Sequence, residues 1–128
     1  MTSWDTNWLL RHLLEDDVHQ LAIVREHLEA CEKKHIRIFL PLLVMVEAGW
    51  VLRGKMNKKD VLDTLDEVIE DRRFQVESEE AFREAIRRSR KNGDMSDHLI
   101  AHAASTTHAL PVYSFDKNLS SFKDFKVL

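Results

Sequence analysis

The sequence predicts an α/β fold, with a parallel sheet covered by helices on both faces. Three observations carry this. Short apolar runs of strand character alternate with longer runs of helical periodicity. The segments between strands contain helices long enough for right-handed crossovers. With 3 Gly and 2 Pro in 128 residues, and no Ser- or Gly-rich linker, repeat or low-complexity tract, residues 1–128 read as one domain.

The elements follow in order. Thr2–Asp5 is a very short strand. A helix comes next, with Leu9, Leu10, Leu13 and Leu14 on one face. "DDV" breaks it, and Asp17 is placed to cap a second helix whose stripe is Leu21, Val24, Leu28 and Cys31. "IRIFLP" alternates Ile36, Ile38 and Leu40 and closes at Pro41, a strand. "LLVMVEAGWVLRG" is an apolar helix ending at Gly54, a residue suited to a C-terminal cap, although its β-branched residues also suit a strand. Asn57 with Asp60 starts another helix, whose face is Val61, Leu62, Leu65, Val68 and Ile69. "RFQV" is a strand. Ser78 is expected to cap a helix running to about Lys91, with Ala81, Phe82, Ala85 and Ile86 inward, and Gly93 stops it. "DMSDHLIAHAAS" is the next helix. "PVYSFD" is a short buried strand, followed by a tail ending in Val127 and Leu128.

Composition narrows the function. A chain of this size buries roughly two thirds of its unfolded surface, enough for one real core. It is 44% hydrophobic and 32% charged, as soluble proteins are. No apolar run approaches the ~20 residues that span a bilayer, so no membrane role is expected. "MTSWDTNWLL" lacks the basic start and apolar stretch of a signal peptide. Cys31 is alone, so no internal disulfide forms, and a cytosolic protein is expected. The net charge of -3 excludes nucleic-acid binding through bulk basicity. Local basic clusters do exist: Lys33-Lys34-His35, Lys55 with Lys58-Lys59, Arg72-Arg73, and Arg87-Arg88 with Arg90-Lys91. Each is either a solvated helix face or part of a phosphate-contacting rim.

Several acids are oddly placed. "VYSFDKNL" runs a hydrophobic strand straight into Asp116, and Asp5 also ends a strand. In parallel α/β folds, sites form beyond the carboxyl ends of the strands. Glu47 lies in the most apolar stretch of the chain, where a carboxylate costs free energy unless paired, protonated or metal-bound. Its other reading is a solvent-facing position. Asp94 and Asp97 open a helix, where caps and dipole partners are expected, so structure alone explains either.

Taken in order, "DTNWLLRHLLEDD", "LVMVEAGWVL", "DHLIAHAA" and "VYSFD" resemble the PIN-domain family, and within it the VapC-like ribonuclease toxins. The resemblance covers essentially the whole chain. It implies a three-layer α/β/α fold with a central, mainly parallel sheet. It places the family's acidic cluster on Asp5, Glu47, Asp97 and Asp116 as catalytic and metal-holding residues. Asp94 matches an auxiliary acidic position. Thr6, Asn7 and Ser114 match polar neighbours of the acids, and Asn118 matches one whose amide would orient a carboxylate or a metal-bound water. The resemblance also implies Mg²⁺ or Mn²⁺, an RNA substrate, a cognate antitoxin and a homodimer. Two features depart from the family: the strand before Asp5 is minimal, and His98 stands where a small residue is common, so substrate contacts there are expected to differ.

The chemistry fits these residue types. Four carboxylates cannot sit together ionised without compensation. Mg²⁺ supplies it, preferring carboxylate and water oxygens. The resemblance implies metal-dependent hydrolysis of single-stranded or looped RNA, leaving a 5′-phosphate. His98 and His102 are one turn apart, a spacing that can hold Zn²⁺, but no other His or Cys completes a site, and a surface pair is expected. Trp4, Trp8 and Trp50 are expected in the core or at a dimer contact, with base stacking by one of them the lesser reading. The main alternative to an enzyme is a catalytically weak PIN-like binding module whose acids receive a partner's Arg or Lys.

Overall fold

The computed structural model describes residues Met1–Leu128, which form two compact units, Met1–Glu79 and Glu80–Leu128. The first contains β1 (Thr2–Ser3), α1 (Thr6–Leu14), α2 (Val18–Lys33), β2 (Ile38–Leu40), α3 (Leu42–Arg53), α4 (Lys58–Glu70) and β3 (Phe74–Val76). The second contains α5 (Glu79–Lys91, starting at the boundary), α6 (Met95–Thr106), β4 (Val112–Ser114), a 3₁₀ turn (Lys117–Leu119) and β5 (Phe125–Val127). The architecture is α/β and PIN-like, with six helices and parallel strands throughout. No helix is long and apolar enough to cross a membrane.

In the first unit the strand order is β1-β2-β3. Thr2 stands opposite Ile38, Ile38 opposite Phe74, and Leu40 opposite Val76. Ile38, Leu40, Phe74 and Val76 are buried while Phe39 and Gln75 are less so, the two-residue alternation of a sheet face. Arg37 ties the strands, donating from Nη2 to the Phe74 carbonyl at 2.6 Å. α1 packs on α2 and α3, and α4 on α3 and β3. The predicted stripes of α2 and α4 are all buried. Each such side chain contributes roughly 1.5–3 kcal/mol when fully covered.

The helix starts are satisfied one by one. Asp17 accepts from Gln20 N at 2.9 Å and Asn57 from Asp60 N at 2.8 Å, as their sequence positions predict. α3 starts after Pro41, which has no capping side chain. Glu77, just past β3, serves instead: its Oε1 accepts from Leu42 N at 3.0 Å and sets a negative charge at that helix start. Leading into β3, Arg73 grips Asp71, Nη2 to Oδ2 at 2.7 Å. Burial raises the Asp71 pKa, but the hydrogen bonds from Arg73 outweigh it and hold the carboxyl below its ordinary value.

In the second unit α5 buries Phe82, Ala85, Ile86 and Ser89. α6 packs on β4 and buries His98 and Ala101. β4 pairs with β5, Val112 opposite Phe125 and Ser114 opposite Val127.

Four expectations are corrected. The tail is not irregular, because Phe125–Val127 forms β5. β4 is not a buried strand: Tyr113 is 66% exposed and Phe115 84%, since only Val112 and Ser114 point inward and one partner strand cannot cover both faces. β1 stops at Ser3, and Asp5 belongs to the start of α1. Gly54 does cap the C-terminus of α3 as expected, with right-handed backbone at φ -78°. Ser78 has φ 56°, outside the extended backbone of an N-cap.

Candidate active site

Trp4 fixes the chain just before the first acid. It is buried, and its indole Nε1 donates to His27 Nδ1 at 3.0 Å. Its ring meets Phe74 edge-on with centroids 5.3 Å apart, and His12 at 5.8 Å. Burial, followed by the nearby Arg73 charge, lowers the His12 pKa, so this cluster favours a neutral imidazole. Trp4 N also donates to the Phe39 carbonyl at 3.3 Å, which extends the β1–β2 pairing up to the turn.

Asp5 follows immediately, extended and exposed, and caps α1 by accepting from Trp8 N at 3.0 Å through Oδ1. Asp5 and Trp8 together line two clefts, of about 390 and 360 Å³. Asn7 and Arg11 line the larger one. Thr6, the first residue of α1, donates from Oγ1 to Glu47 Oε1 at 2.8 Å. That bond joins the start of α1 to the acid of α3, 41 residues away in sequence.

Glu47 is exposed, the solvent-facing position that was one of its two readings. The covered face of α3 is Val44, Met45, Ala48, Gly49 and Leu52. Leu43 and Trp50 lie outside it and are exposed too. The stretch is apolar on all sides but buried on only one, so Glu47 meets solvent. Trp4 is in the core as expected, whereas Trp50 is not.

In the second unit Asp116 is built much as Asp5 is. It caps the 3₁₀ turn, accepting from Asn118 N at 2.9 Å through Oδ1. Its own N–H donates to Ser114 Oγ at 3.0 Å. Asn118 thus meets the acid through its backbone, in place of the side-chain amide contact expected. Asp94 occupies the cap position of α6 without a side-chain capping bond, and Asp97 lies half-buried in the first turn.

His98 is not at the surface, where the His98–His102 pair was expected. It is buried, its Nε2 lies 2.7 Å from the Asn92 carbonyl, and its ring meets Phe122 edge-on at 5.6 Å. Nowhere do three His, Cys, Asp or Glu side chains gather closely enough to hold a metal ion. The donors nevertheless suit a hard cation, because Mg²⁺ keeps several waters and commonly takes only one or two carboxylates from a protein. Asp5 and Glu47 offer two, both exposed and linked through Thr6.

Sequence reasoning missed the Thr6–Glu47 bond, for which a lone Thr after an Asp gives no signal.

The family model for the PIN domain matches residues 4–125. The chain belongs to the PIN-domain family. PIN domains are generally Mg²⁺-dependent nucleases and typically use Mg²⁺ or Mn²⁺. No curated protein and no solved structure matches this PIN domain significantly. The match begins at Trp4, the anchor of the first acid, and ends at Phe125, the first residue of β5, so it takes in all four acids of the candidate site.

Proposed function

We propose that this PIN domain is a metal-dependent endoribonuclease, the toxin of a type II toxin–antitoxin pair. It acts in the cytoplasm as a homodimer neutralised by a cognate antitoxin. Asp5, Glu47, Asp97 and Asp116 are the residues that would hold Mg²⁺ or Mn²⁺. Asp94, Asn7 and Asn118 are auxiliary, and Thr6 and Ser114 are positioning residues. When bound, the metal supplies an acidified water and offsets the charge that develops on the phosphodiester.

The observation that carries this reading is the 2.8 Å bond from Thr6 to Glu47. It holds Oε1 and leaves Oε2 to accept a proton from the attacking water. That water's oxygen bonds to phosphorus, the bond to the 3′ oxygen breaks, and the 3′ oxygen takes up a proton. The products are a 5′-phosphate and a 3′-hydroxyl. Ser114 contributes by fixing the backbone of Asp116 at 3.0 Å.

The test is cleavage of pooled RNA with Mg²⁺ or Mn²⁺, with and without EDTA, and sequencing of the 5′ ends. Metal-dependent cuts carrying 5′-phosphates are expected. The same ions are expected to raise the melting temperature by mass action, and Asp5→Asn to remove most of that rise. RNA left intact with every divalent ion tried would overturn the enzyme and leave the binding module. Light scattering that finds only monomer at micromolar concentration would remove the dimer.

A further inference from the structure

The second unit holds a cleft that none of the acids described above lines. Its volume is about 470 Å³, within the roughly 300–1,000 Å³ usual for ligand sites. It lies among the end of α5, the side of α6 that carries His98 and Ala101, and the segment 121–125. Arg87, Arg88, Lys91 and Lys123 supply four cations to its walls, opposed there by Asp124 alone. In a chain of net charge -3 that is a local reversal of sign.

The cations are of two kinds. Arg88 is braced from both sides, with Nε 2.8 Å from Glu84 Oε1 and Nη1 3.5 Å from Asp124 Oδ2. Arg87 shares Glu84 at 2.6 Å. These pairs hold the guanidinium groups in place and consume part of their charge. Lys91 and Lys123 are exposed and make no ion pair, so their charge is available at the mouth.

The floor is apolar and closely built. Phe122 and Phe125 are half-buried, and His98 lies beneath Phe122. Gly93 closes over this packing with φ 82°, and a Cβ there would stand 2.9 Å from His98 Nε2 and 3.0 Å from Phe122 Cζ. Exposed ammonium groups, a braced guanidinium and two half-exposed aromatic rings form the combination that takes one unit of a single-stranded nucleic acid. Cations meet the phosphate, and ring faces meet the base or ribose.

We propose that this cleft is a second RNA-binding site, taking a backbone phosphate between Lys91, Lys123 and Arg88 and the adjoining base or ribose against Phe122 and Phe125. This rests on the reading of RNA as the substrate. His98 is the residue after Asp97, so the cleft occupies the flank of α6 adjoining that acid. Its role is to hold the strand, and it acts on affinity without touching the reacting phosphate.

The test separates binding from cleavage. Affinity for a short single-stranded oligoribonucleotide is measured without divalent metal over a salt series. The variants are Lys91→Glu with Lys123→Glu, and Lys91→Arg with Lys123→Arg. The glutamate pair should weaken binding at least ~10-fold and flatten the plot of log affinity against log salt by about 0.7, the contribution of one phosphate contact to a single strand. The arginine pair should bind as the unaltered protein does. On the unaltered protein, RNA should protect Lys91 and Lys123 from acetylation and leave Lys33 and Lys34 reactive, a readout independent of any variant's folding. A glutamate pair with normal affinity and salt slope, or lysines that stay reactive under saturating RNA, overturns the cleft and leaves the nuclease reading intact. Protein that binds no RNA without metal also overturns the cleft. The nuclease reading then stands or falls on the Mg²⁺ cleavage assay alone.

Discussion

Thr6→Val separates the placement of Glu47 from the stability of the fold. Valine keeps the shape of threonine and removes the one donor to Glu47 Oε1. A hydrogen bond to a charged group is worth about 1.5–3 kcal/mol where water is excluded. Glu47 is exposed, so water replaces the lost hydroxyl and no polar group is left buried. The cost in stability should therefore be about 0.5–1 kcal/mol, or a melting point lower by ~2–4 °C. The effect on placement should be larger. A freed glutamate regains up to ~2 kcal/mol of rotamer freedom, which must be given up again at each turnover. With ~1.4 kcal/mol per factor of ten, cleavage should fall by about 10- to 30-fold.

The assay is Mg²⁺-dependent cleavage of a labelled RNA, well below the melting temperature of every variant. Thr6→Ser keeps the donor and should retain most activity. Thr6→Val and Glu47→Gln combined should be no worse than Glu47→Gln alone, because Thr6 acts only through that carboxylate. A Thr6→Val enzyme with the normal rate would refute the positioning argument. So would a double variant that loses the two effects additively.

Three further outcomes are expected. Asp97→Asn should lower Mg²⁺-dependent cleavage by ~100-fold or more while Asp94→Asn, at a cap position where the side chain makes no capping bond, changes it little; equal effects in the cleavage assay would reject the distinction. Gly93→Ala should cost at least ~1–2 kcal/mol in urea denaturation, because alanine tolerates φ 82° poorly and its Cβ would collide with His98 and Phe122; an unchanged midpoint would reject that packing. Stability should fall with acid in two stages, because every folded-state pKa concerned is lowered and the unfolded chain binds protons first. The first stage starts as pH drops below 6.5 and reflects His12; the second reflects Asp71 below 3.8 and Glu84, which Arg87 and then Arg88 hold down from 4.5 to about 2. Melting temperatures across this range should show both stages, and His12→Gln should flatten the first.

What was legible in the sequence was local. Asp17 and Asn57 cap their helices because a cap needs only an N–H three residues on, and the stripes of α2 and α4 are periodic over a single element. Asp5 and Asp116 could be singled out because each follows a short run of strand character. What was not legible depends on distant partners. Whether Phe125–Val127 is a strand is decided by pairing with β4, not by its own three residues. The exposure of Glu47 depends on which face of an apolar helix the neighbouring elements cover. His98 owes its burial to the left-handed turn at Gly93 and to Phe122, so its spacing from His102 alone suggested a surface pair. The cleft at Lys91 and Lys123 joins residues from a recognised basic cluster and an unrecognised one.

Asp5 and Asp116 share a construction that bears on how the site can be probed. In each, Oδ1 is held by a backbone N–H of the turn that the acid itself caps, so local geometry orients the carboxylate before any metal or substrate arrives. The same bond makes the residue structural. Replacing either with alanine removes the cap as well as the charge, at a cost of about 0.5–2 kcal/mol, and an inactive alanine variant would not separate the two roles. Asparagine caps about as well as aspartate and keeps its shape. Asparagine at these positions therefore removes the charge and leaves the turn standing. If the acids serve only as caps, the asparagine variants will cleave normally and melt normally. If they hold a cation, the variants will melt normally without metal, lose the metal-induced rise, and lose cleavage. The two roles of one side chain predict opposite results in two of these three measurements, so the comparison does not depend on how large either effect is.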